Sequence, residues 1–126
     1  MIYGIGTDMV EIARMEQALA RHGDRFAHRI LASGEHEAFA QARQPARLLA
    51  KRFAAKEAFG KAFGTGVAPP ATLHSVEITR DERGKPHFNY HGELARIMAD
   101  EKLGAHLSIT DEAEYVVAFA VIERLA

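Results

Sequence analysis

The first residues of the chain alternate between two faces, and this period of two predicts a strand from Ile2 to Asp8. Gly4 and Gly6 lie on the same face as the aspartate that ends this strand. A helix follows from Val10 to His22, and Gly23 ends it. Its apolar residues recur at helical spacing and form an inward-facing stripe of Ile12, Met15 and Leu19.

The middle of the chain contains the longest predicted helix. Pro45 suits the first turn of a helix and Gly64 suits the position just after its end, which predicts a helix over Ala46–Phe63. Two shorter helical segments precede it: a helix or turn around residues 26–31, and a helix that Ser33 caps and that ends near Arg43.

The C-terminal half of the chain favours strands. The turn-rich tetrapeptide Asp81–Gly84 separates two short segments of β-forming residues, which is typical of a hairpin. Further along, Gly104 closes a helix. The predicted elements of this half are the strands Val76–Thr79 and Pro86–Tyr90, the helix Glu93–Leu103, and the strands His106–Thr110 and Tyr115–Ile122.

These elements together predict the fold class. Strands lie at both ends of the chain and helices are grouped between them, which is typical of an α+β protein. We expect a mostly antiparallel sheet packed against a long central helix and shorter helices. The 126 residues contain no repeat and no linker, so they form one domain over residues 1–126.

The composition excludes several kinds of protein. Hydrophobic residues make up 48% of the chain and charged residues 26%, which is typical of a soluble globular domain. No apolar run approaches the roughly 20 residues that span a bilayer, and the N-terminus lacks the features of a signal peptide. We therefore expect a cytoplasmic protein that does not act at a membrane. The chain has no cysteine, so any metal would be held by oxygen or imidazole ligands.

The charge distribution is uneven although the formal net charge is only −1. One segment has an excess of cations and suggests a localised anionic ligand, with a solvated helix face as the alternative. This segment contains the acid Glu57 and the cations Arg43, Arg47, Lys51, Arg52, Lys56 and Lys61.

Asp8 and Glu57 are the candidate metal ligands. Gly4 and Gly6 remove side chains from the face of Asp8, which leaves room for a ligand or for another backbone. A helix cap is the alternative role of Asp8. Glu57 lies on a partly apolar helix face and needs a partner, either a metal or Lys61 at the i+4 position. Two such carboxylates, with phosphate oxygens and waters, suit Mg²⁺.

Other cations are candidates for ligand and partner binding. Those on the helix of Glu57 suit a polyphosphate: Arg47, Arg52, Lys56 and Lys61. His106 opens a later strand and is a further candidate contact, with a structural role as the alternative. A second group suits an acidic protein partner, or is simply solvated: Arg14, Arg21, Arg25 and Arg29.

Three stretches of the chain resemble the holo-acyl-carrier-protein synthases, in the right order and over essentially the whole length. The first is Gly4-Ile5-Gly6-Thr7-Asp8-Met9-Val10-Glu11-Ile12. The second is Arg52-Phe53-Ala54-Ala55-Lys56-Glu57-Ala58, with Lys61-Ala62-Phe63-Gly64-Thr65-Gly66. The third, Gly84-Lys85-Pro86, is weak by itself. The strand-like Tyr115-Val116-Val117-Ala118 ends the resemblance.

The resemblance implies a role for each candidate residue. It implies that Asp8 and Glu57 bind Mg²⁺ and that Lys61 neutralises the pyrophosphate of coenzyme A. The remaining implied contacts with coenzyme A are Arg52 and His106 near its phosphates, and the backbone around Gly64 and Pro86 beside its nucleotide.

The resemblance also implies an assembly and a protein partner. The expected assembly is a homotrimer with active sites between subunits, and the apolar run Val116–Ile122 fits a subunit interface. Arg14 and Arg21 on the first helix fit recognition of the carrier protein. Thr110-Asp111 departs from the Ser-His pair that many members carry, and we give Asp111 no catalytic role.

The implied reaction transfers the phosphopantetheine arm of coenzyme A to a serine of acyl carrier protein. Glu57 or an ordered water would take the proton of the serine hydroxyl. Two rival functions remain open. One is a magnesium-dependent nucleotide phosphohydrolase that needs no acceptor protein. The other is a module that binds nucleic acid through residues 43–61, although that segment offers no aromatic stacking platform, so we expect no nucleic acid partner.

Overall fold

The computed structural model describes the whole chain, residues 1–126, as helices and antiparallel strands. This confirms the α+β class and the antiparallel pairing. None of the helices is long and apolar enough to cross a membrane. The elements are β1 (Ile2–Glu11), α1 (Ile12–His22), α2 (Asp24–Ile30), α3 (His36–Ala40), α4 (Pro45–Phe63), β2 (Val76–Arg80), β3 (Pro86–Tyr90), α5 (Glu93–Asp100), β4 (Leu103–Asp111) and β5 (Tyr115–Arg124).

Helix α4 packs between two sheets. Strands β1, β5 and β4 form a three-stranded antiparallel sheet with β5 in the middle, and β2 and β3 form a separate hairpin. One face of β5 is buried against α4, through Val116, Ala118, Ala120 and Ile122. On the side of the hairpin, the ring of Phe59 lies 5.0 Å from that of Phe88 and 5.5 Å from that of Tyr90, between centroids. Ten of the 19 residues of α4 are buried as a result.

Strand β1 is longer than the sequence pattern predicts. It continues to Glu11, which pairs with Tyr115 of β5, so α1 begins at Ile12 and not at Val10. Strand β1 lies at the edge of the sheet, and it stays paired as far as Glu11 because its neighbour β5 is equally long. Asp8 consequently lies inside β1 opposite Ala118, and it does not cap α1. The inward stripe of α1 is confirmed, with Ile12 and Met15 buried.

Two other boundaries differ from the prediction. Helix α5 ends at Asp100 because Lys102 adopts a positive φ of 55°, and the chain then enters β4 at the buried Leu103. Ser33 begins a short 3-10 turn and caps no helix, because the carboxylate of Glu35 accepts the local hydrogen bond from the N–H of Ala32, at 2.8 Å. The helix that follows, α3, ends before Arg43.

The glycines of β1 allow the strand to lie directly on α4. A Cβ atom at Gly4 would lie 1.9 Å from the carbonyl oxygen of Ala62, and one at Gly6 would lie 2.1 Å from that of Ala58. The space beside the glycines is therefore occupied by the backbone of α4 and not by a ligand. Because the inward face of β1 carries Asp8 next, the same close contact brings Asp8 to the helix of Glu57.

We predict that Gly6→Ala destabilises the protein by about 2–3 kcal/mol, because the added methyl group would overlap the backbone of α4. Gly104→Ala in β4 is the matched control, since its Cβ would make only an ordinary contact at 3.4 Å with Leu125. Urea unfolding of both variants measures the difference. Equal stability of the two variants would contradict the close packing of β1 on α4.

Candidate active site

Asp8 and Glu57 lie on the same cleft, one from β1 and the other from α4. The cleft has a volume of about 530 Å³ and is partly open to solvent. Helix α1 closes one side, and β5 contributes a tyrosine that the sequence analysis did not identify. The remaining lining residues are Met9, Val10, Glu11, Arg14, Met15, Phe53 and Tyr115.

The two carboxylates are close enough to affect each other's ionisation. Burial raises the pKa of Asp8, and the nearby positive charge of Lys61 only partly offsets that effect. Burial also raises the pKa of Glu57, and the negative charge of Asp8 raises it further. Two ionised carboxylates in one partly buried cleft repel each other, so a cation bound between them would be stabilising.

Lys61, one turn beyond Glu57 on α4, contacts Asp8 and the backbone beside it. Its Nζ donates a hydrogen bond to the carbonyl oxygen of Thr7 at 2.9 Å and lies 3.5 Å from Oδ1 of Asp8. The lysine therefore pairs with Asp8 and not with Glu57, its neighbour at the i−4 position. Its side chain is 53% exposed, so its charge also remains accessible to a bound anion.

The oxygen ligands that this cleft can supply are few, which suits Mg²⁺ better than a metal whose ligands all come from the protein. No group of three or more histidine, aspartate or glutamate side chains converges anywhere in the chain. Asp8 and Glu57 can supply two oxygen ligands. Magnesium is commonly held by one or two carboxylates, with substrate phosphates and waters completing its shell.

Arg52 does not reach this cleft. Its side chain is 10% exposed, and its guanidinium donates to the carbonyl oxygen of Ile78 and lies 3.4 Å from Glu35. Burial lowers its pKa, and the charge of Glu35 opposes that effect. Within one subunit, Arg52 is therefore an interior residue, and its contact with a phosphate stays a prediction.

Lys56 belongs to the same interior network. Its Nζ donates to the carbonyl oxygens of Ile30 and Leu73, both at 2.7 Å, and to Oε1 of Glu35 at 2.6 Å. All three N–H groups of the ammonium are thereby satisfied. The sequence analysis missed Glu35, because a single glutamate in a polar segment gives no sign that its side chain is fully buried.

The other predicted coenzyme A contacts also lie outside the cleft of a single subunit. His106 is on β4, where its ring bonds to Glu123 of β5, and its side chain is 63% exposed. Gly64 follows α4 with a φ of 107°, as expected for a left-handed helix end. Pro86 begins β3, in register with Arg80. One chain therefore does not bring these residues together with Asp8 and Glu57.

The predicted partner-binding arginines lie on two different clefts. Arg14 is on the cleft of Asp8 and Glu57, and its Nε lies 3.5 Å from the carboxylate of Glu11. Arg21 is on a second cleft that is strongly basic. The residues of that second cleft are Arg21, His22, Arg25, Phe26 and Arg29.

Comparison with known proteins shows to which protein superfamily the chain belongs. The family model described as the 4′-phosphopantetheinyl transferase superfamily matches residues 4–120. The chain belongs to this superfamily. Among its curated relatives is the holo-[acyl-carrier-protein] synthase of Aromatoleum aromaticum, 64% identical over 98% of this chain and 99% of the relative. The corresponding synthase of Azoarcus sp. is 63% identical over 98% of both chains.

Solved structures support the same grouping. The holo-[acyl-carrier-protein] synthase of Neisseria meningitidis matches with a TM-score of 0.93 and 44% identity, over 98% of this chain and 99% of that one. The synthase of Bacillus anthracis, in complex with CoA (3′,5′-ADP), matches with a TM-score of 0.83 and 35% identity, over 99% of both chains. The resemblance seen in the sequence motifs is confirmed.

Proposed function

We propose that this protein transfers the 4′-phosphopantetheine group of coenzyme A to a serine of apo-acyl carrier protein and releases adenosine 3′,5′-bisphosphate. The main supporting observation is that Asp8 and Glu57 share one cleft, with Lys61 paired to Asp8, in a member of the phosphopantetheinyl transferase superfamily. Acyl carrier protein serves fatty acid biosynthesis, so we assign this protein to that process. We further propose that it acts in the cytoplasm.

Mg²⁺ is the metal that we expect at this cleft, held by Asp8 and Glu57. Burial raises the pKa of both carboxyl groups, and the charge of Asp8 raises that of Glu57 further, so a bound cation would favour the ionised form of both. When bound, Mg²⁺ offsets negative charge on the pyrophosphate of the substrate. In this proposal the protein supplies only two ligands, which leaves room for substrate oxygens.

Lys61 is positioned to bind the pyrophosphate. One of its three N–H groups is used by the carbonyl oxygen of Thr7, which fixes the ammonium at the cleft. A second N–H group is directed at Oδ1 of Asp8, at 3.5 Å. The third can donate to an anionic oxygen of the substrate. Phosphoryl transfer depends mainly on positioning and on neutralisation of charge, so Lys61 would stabilise the charge that develops on the leaving phosphate.

The serine hydroxyl must lose its proton as it attacks the β-phosphorus of coenzyme A. Glu57 is a candidate base, because burial and the charge of Asp8 raise its pKa above that of an exposed glutamate. A carboxylate that also binds a metal is a weaker base. An ordered water beside Glu57 is therefore the alternative acceptor of the proton.

Mass spectrometry of apo-acyl carrier protein, incubated with this protein, coenzyme A and Mg²⁺, tests the reaction directly. We expect a phosphopantetheine mass increment on the carrier protein, and its loss in both Asp8→Ala and Glu57→Ala, because each variant removes one of only two metal ligands. Glu37→Ala, an exposed carboxylate on α3, is the matched control and should keep full activity. Circular dichroism should show that all the variants are folded, since Asp8 caps no helix.

The same assay separates the rival functions. Release of adenosine 3′,5′-bisphosphate from coenzyme A without any acceptor would favour a phosphohydrolase. Steeply salt-dependent binding to DNA or RNA would favour a nucleic-acid module. Normal transfer by Asp8→Ala or Glu57→Ala at moderate Mg²⁺ would contradict the metal assignment.

Arg14 and Arg21 are the proposed contacts with the carrier protein. Arg14 lines the catalytic cleft, and Arg21 lines a second, basic cleft formed by α1 and α2. Neither Arg21, Arg25 nor Arg29 forms an ion pair within the chain, so three positive charges remain available to an acidic partner. Charges of this kind mainly increase the rate of encounter with an oppositely charged surface.

We predict that the double variant Arg14→Glu, Arg21→Glu raises the KM for carrier protein about tenfold or more and makes association less sensitive to salt. The KM for coenzyme A should stay almost unchanged. The double variant Arg96→Glu, Lys102→Glu changes the net charge equally at exposed sites near α5 and is the control. A parallel rise in the KM for coenzyme A would instead indicate that these arginines contact the nucleotide.

A homotrimer with active sites between subunits is the assembly that we propose. The face of the three-stranded sheet turned away from α4 exposes large apolar side chains, including Ile5 at 62%, Met9 at 64% and Phe119 at 44%. An apolar surface of this kind is typical of a subunit interface. His106 lies on the same face, in register with Val121, so a neighbouring subunit packed there would lie next to it.

We expect light scattering to give the mass of a trimer at micromolar concentration. Phe119→Glu should release monomers and abolish transfer, because it places a charge in the proposed apolar interface. Ala38→Glu, an exposed residue on α3, is the control and should leave the assembly intact. A stable monomer with full activity would contradict the shared-site proposal.

A further inference from the structure

Asp111 ends β4 and lies between two cations of α4. Its carboxylate bonds to the guanidinium of Arg47 through Oδ1, and its Oδ2 lies 3.3 Å from Nζ of Lys51. The side chain of Asp111 is 34% exposed, and those of both cations are 25% exposed. The three residues therefore form a partly buried ionic cluster, and the proposed reaction uses none of them.

Arg47 does more than pair with Asp111. Its Nη1 also donates to the carbonyl oxygen of Glu112 at 2.6 Å, and its Nη2 donates to that of Ala113 at 3.0 Å. Its Nε donates to the side chain of Gln44 at 2.8 Å. A rigid guanidinium with this many partners fixes the geometry between the elements that it joins. Arg47 thus attaches the β4–β5 turn to the start of α4.

The same turn holds the start of α1. The backbone N–H of Ile12 donates to the carbonyl oxygen of Glu114 at 2.9 Å. Helix α1 has no side-chain cap at Glu11, so the turn supplies an acceptor that the first turn of the helix would otherwise lack. The β4–β5 turn is therefore bound to α1 on one side and to α4 on the other.

Two elements next to this turn, α1 and β5, contribute residues to the catalytic cleft. Arg14 and Met15 line the cleft from the first turn of α1, and Tyr115 lines it from the first residue of β5. A change in the position of the turn would therefore move these residues relative to Asp8 and Glu57. The cluster touches none of the residues that we assign to metal or pyrophosphate.

We propose that Arg47 and Asp111, supported by Lys51, are positioning residues that hold α1 and Tyr115 in the geometry needed to present the acceptor serine to the cleft. This inference rests on the proposed function. It predicts that losing the cluster impairs use of the carrier protein more than use of coenzyme A. It also gives a positioning role to Asp111, which belongs to the Thr110-Asp111 pair that stands where many family members carry Ser-His.

The ionisation of Asp111 keeps the cluster intact at neutral pH. Burial acts to raise the pKa of Asp111, but hydrogen bonds and charge from Arg47 and Lys51 outweigh it and hold the pKa below its ordinary value. A carboxyl group with a lowered pKa stabilises the fold above its unfolded-state pKa, and that contribution is lost only as the pH falls through the lowered value. The other charged side chains of the turn are Glu112 and Glu114, and both are exposed. The backbone N–H of Glu112 donates to the carbonyl oxygen of Tyr115.

Steady-state kinetics with Asp111→Asn and Arg47→Met test the proposal. We expect each variant to raise the KM for carrier protein about tenfold while the KM for coenzyme A changes less than about twofold, because only the acceptor side of the cleft is displaced. Arg96→Met, which removes an exposed arginine paired with Asp100 on α5, is the matched control and should change neither KM.

Hydrogen–deuterium exchange provides a readout that does not depend on activity. We expect faster exchange at residues 11–16 in both variants, with exchange in α5 unchanged. Unchanged exchange at residues 11–16 would overturn the proposal, and so would a uniform increase over α4 and β5, which would show a general loss of stability. If Arg47→Met does not fold, the decision rests on Asp111→Asn, which keeps the shape of the side chain.

The two hypotheses can fail separately. If the wild-type protein transfers nothing to carrier protein, the proposed function fails, and with it the role in acceptor presentation. If the wild-type protein is active but neither variant changes the KM for carrier protein, only the positioning role fails. A rise in the KM for coenzyme A as large as that for carrier protein would also overturn it, by placing the cluster at the nucleotide.

Discussion

The contact between β1 and the backbone of α4 is the constraint on which the rest of the structure depends. Because Gly4 and Gly6 have no side chains, the strand lies on the helix at a distance that no larger residue would allow. The next inward position of the strand is Asp8, which consequently meets Lys61 and the helix of Glu57. The same two glycines therefore determine both the packing of the sheet and the position of a carboxylate.

Helix α4 uses its charged residues for two different purposes. Lys56 points inward to Glu35 with all three of its N–H groups bonded, whereas Lys61 is more exposed and contacts Thr7 and Asp8. Removing one partner from a buried pair of this kind typically costs about 3–5 kcal/mol, because the other charge is left unpaired. The network anchors α4 to the turn before α3, and this anchoring orients the helix face that carries Glu57.

Within a single subunit, the cleft of Asp8 and Glu57 does not include every residue that the resemblance implies. Gly64, Pro86 and His106 lie outside the cleft of Asp8, and the outer face of the sheet exposes apolar side chains. A subunit covering that face would account for both observations, because it would bury the apolar surface next to His106. The proposed trimer and the proposed reaction are thus linked by geometry.

The sequence by itself determined the α+β class, the long helix, the hairpin and the family. These features depend on local signals, such as Pro45 and Gly64 at the ends of α4 and the period of two in β1. The sequence also singled out Asp8, Glu57 and Lys61, since their motifs are long and specific. Only the tertiary structure decided which cations are free, because burial and pairing depend on distant residues. Arg52 and Lys56 share a helix with Lys61, yet the long-range contact with Glu35 holds them in the interior.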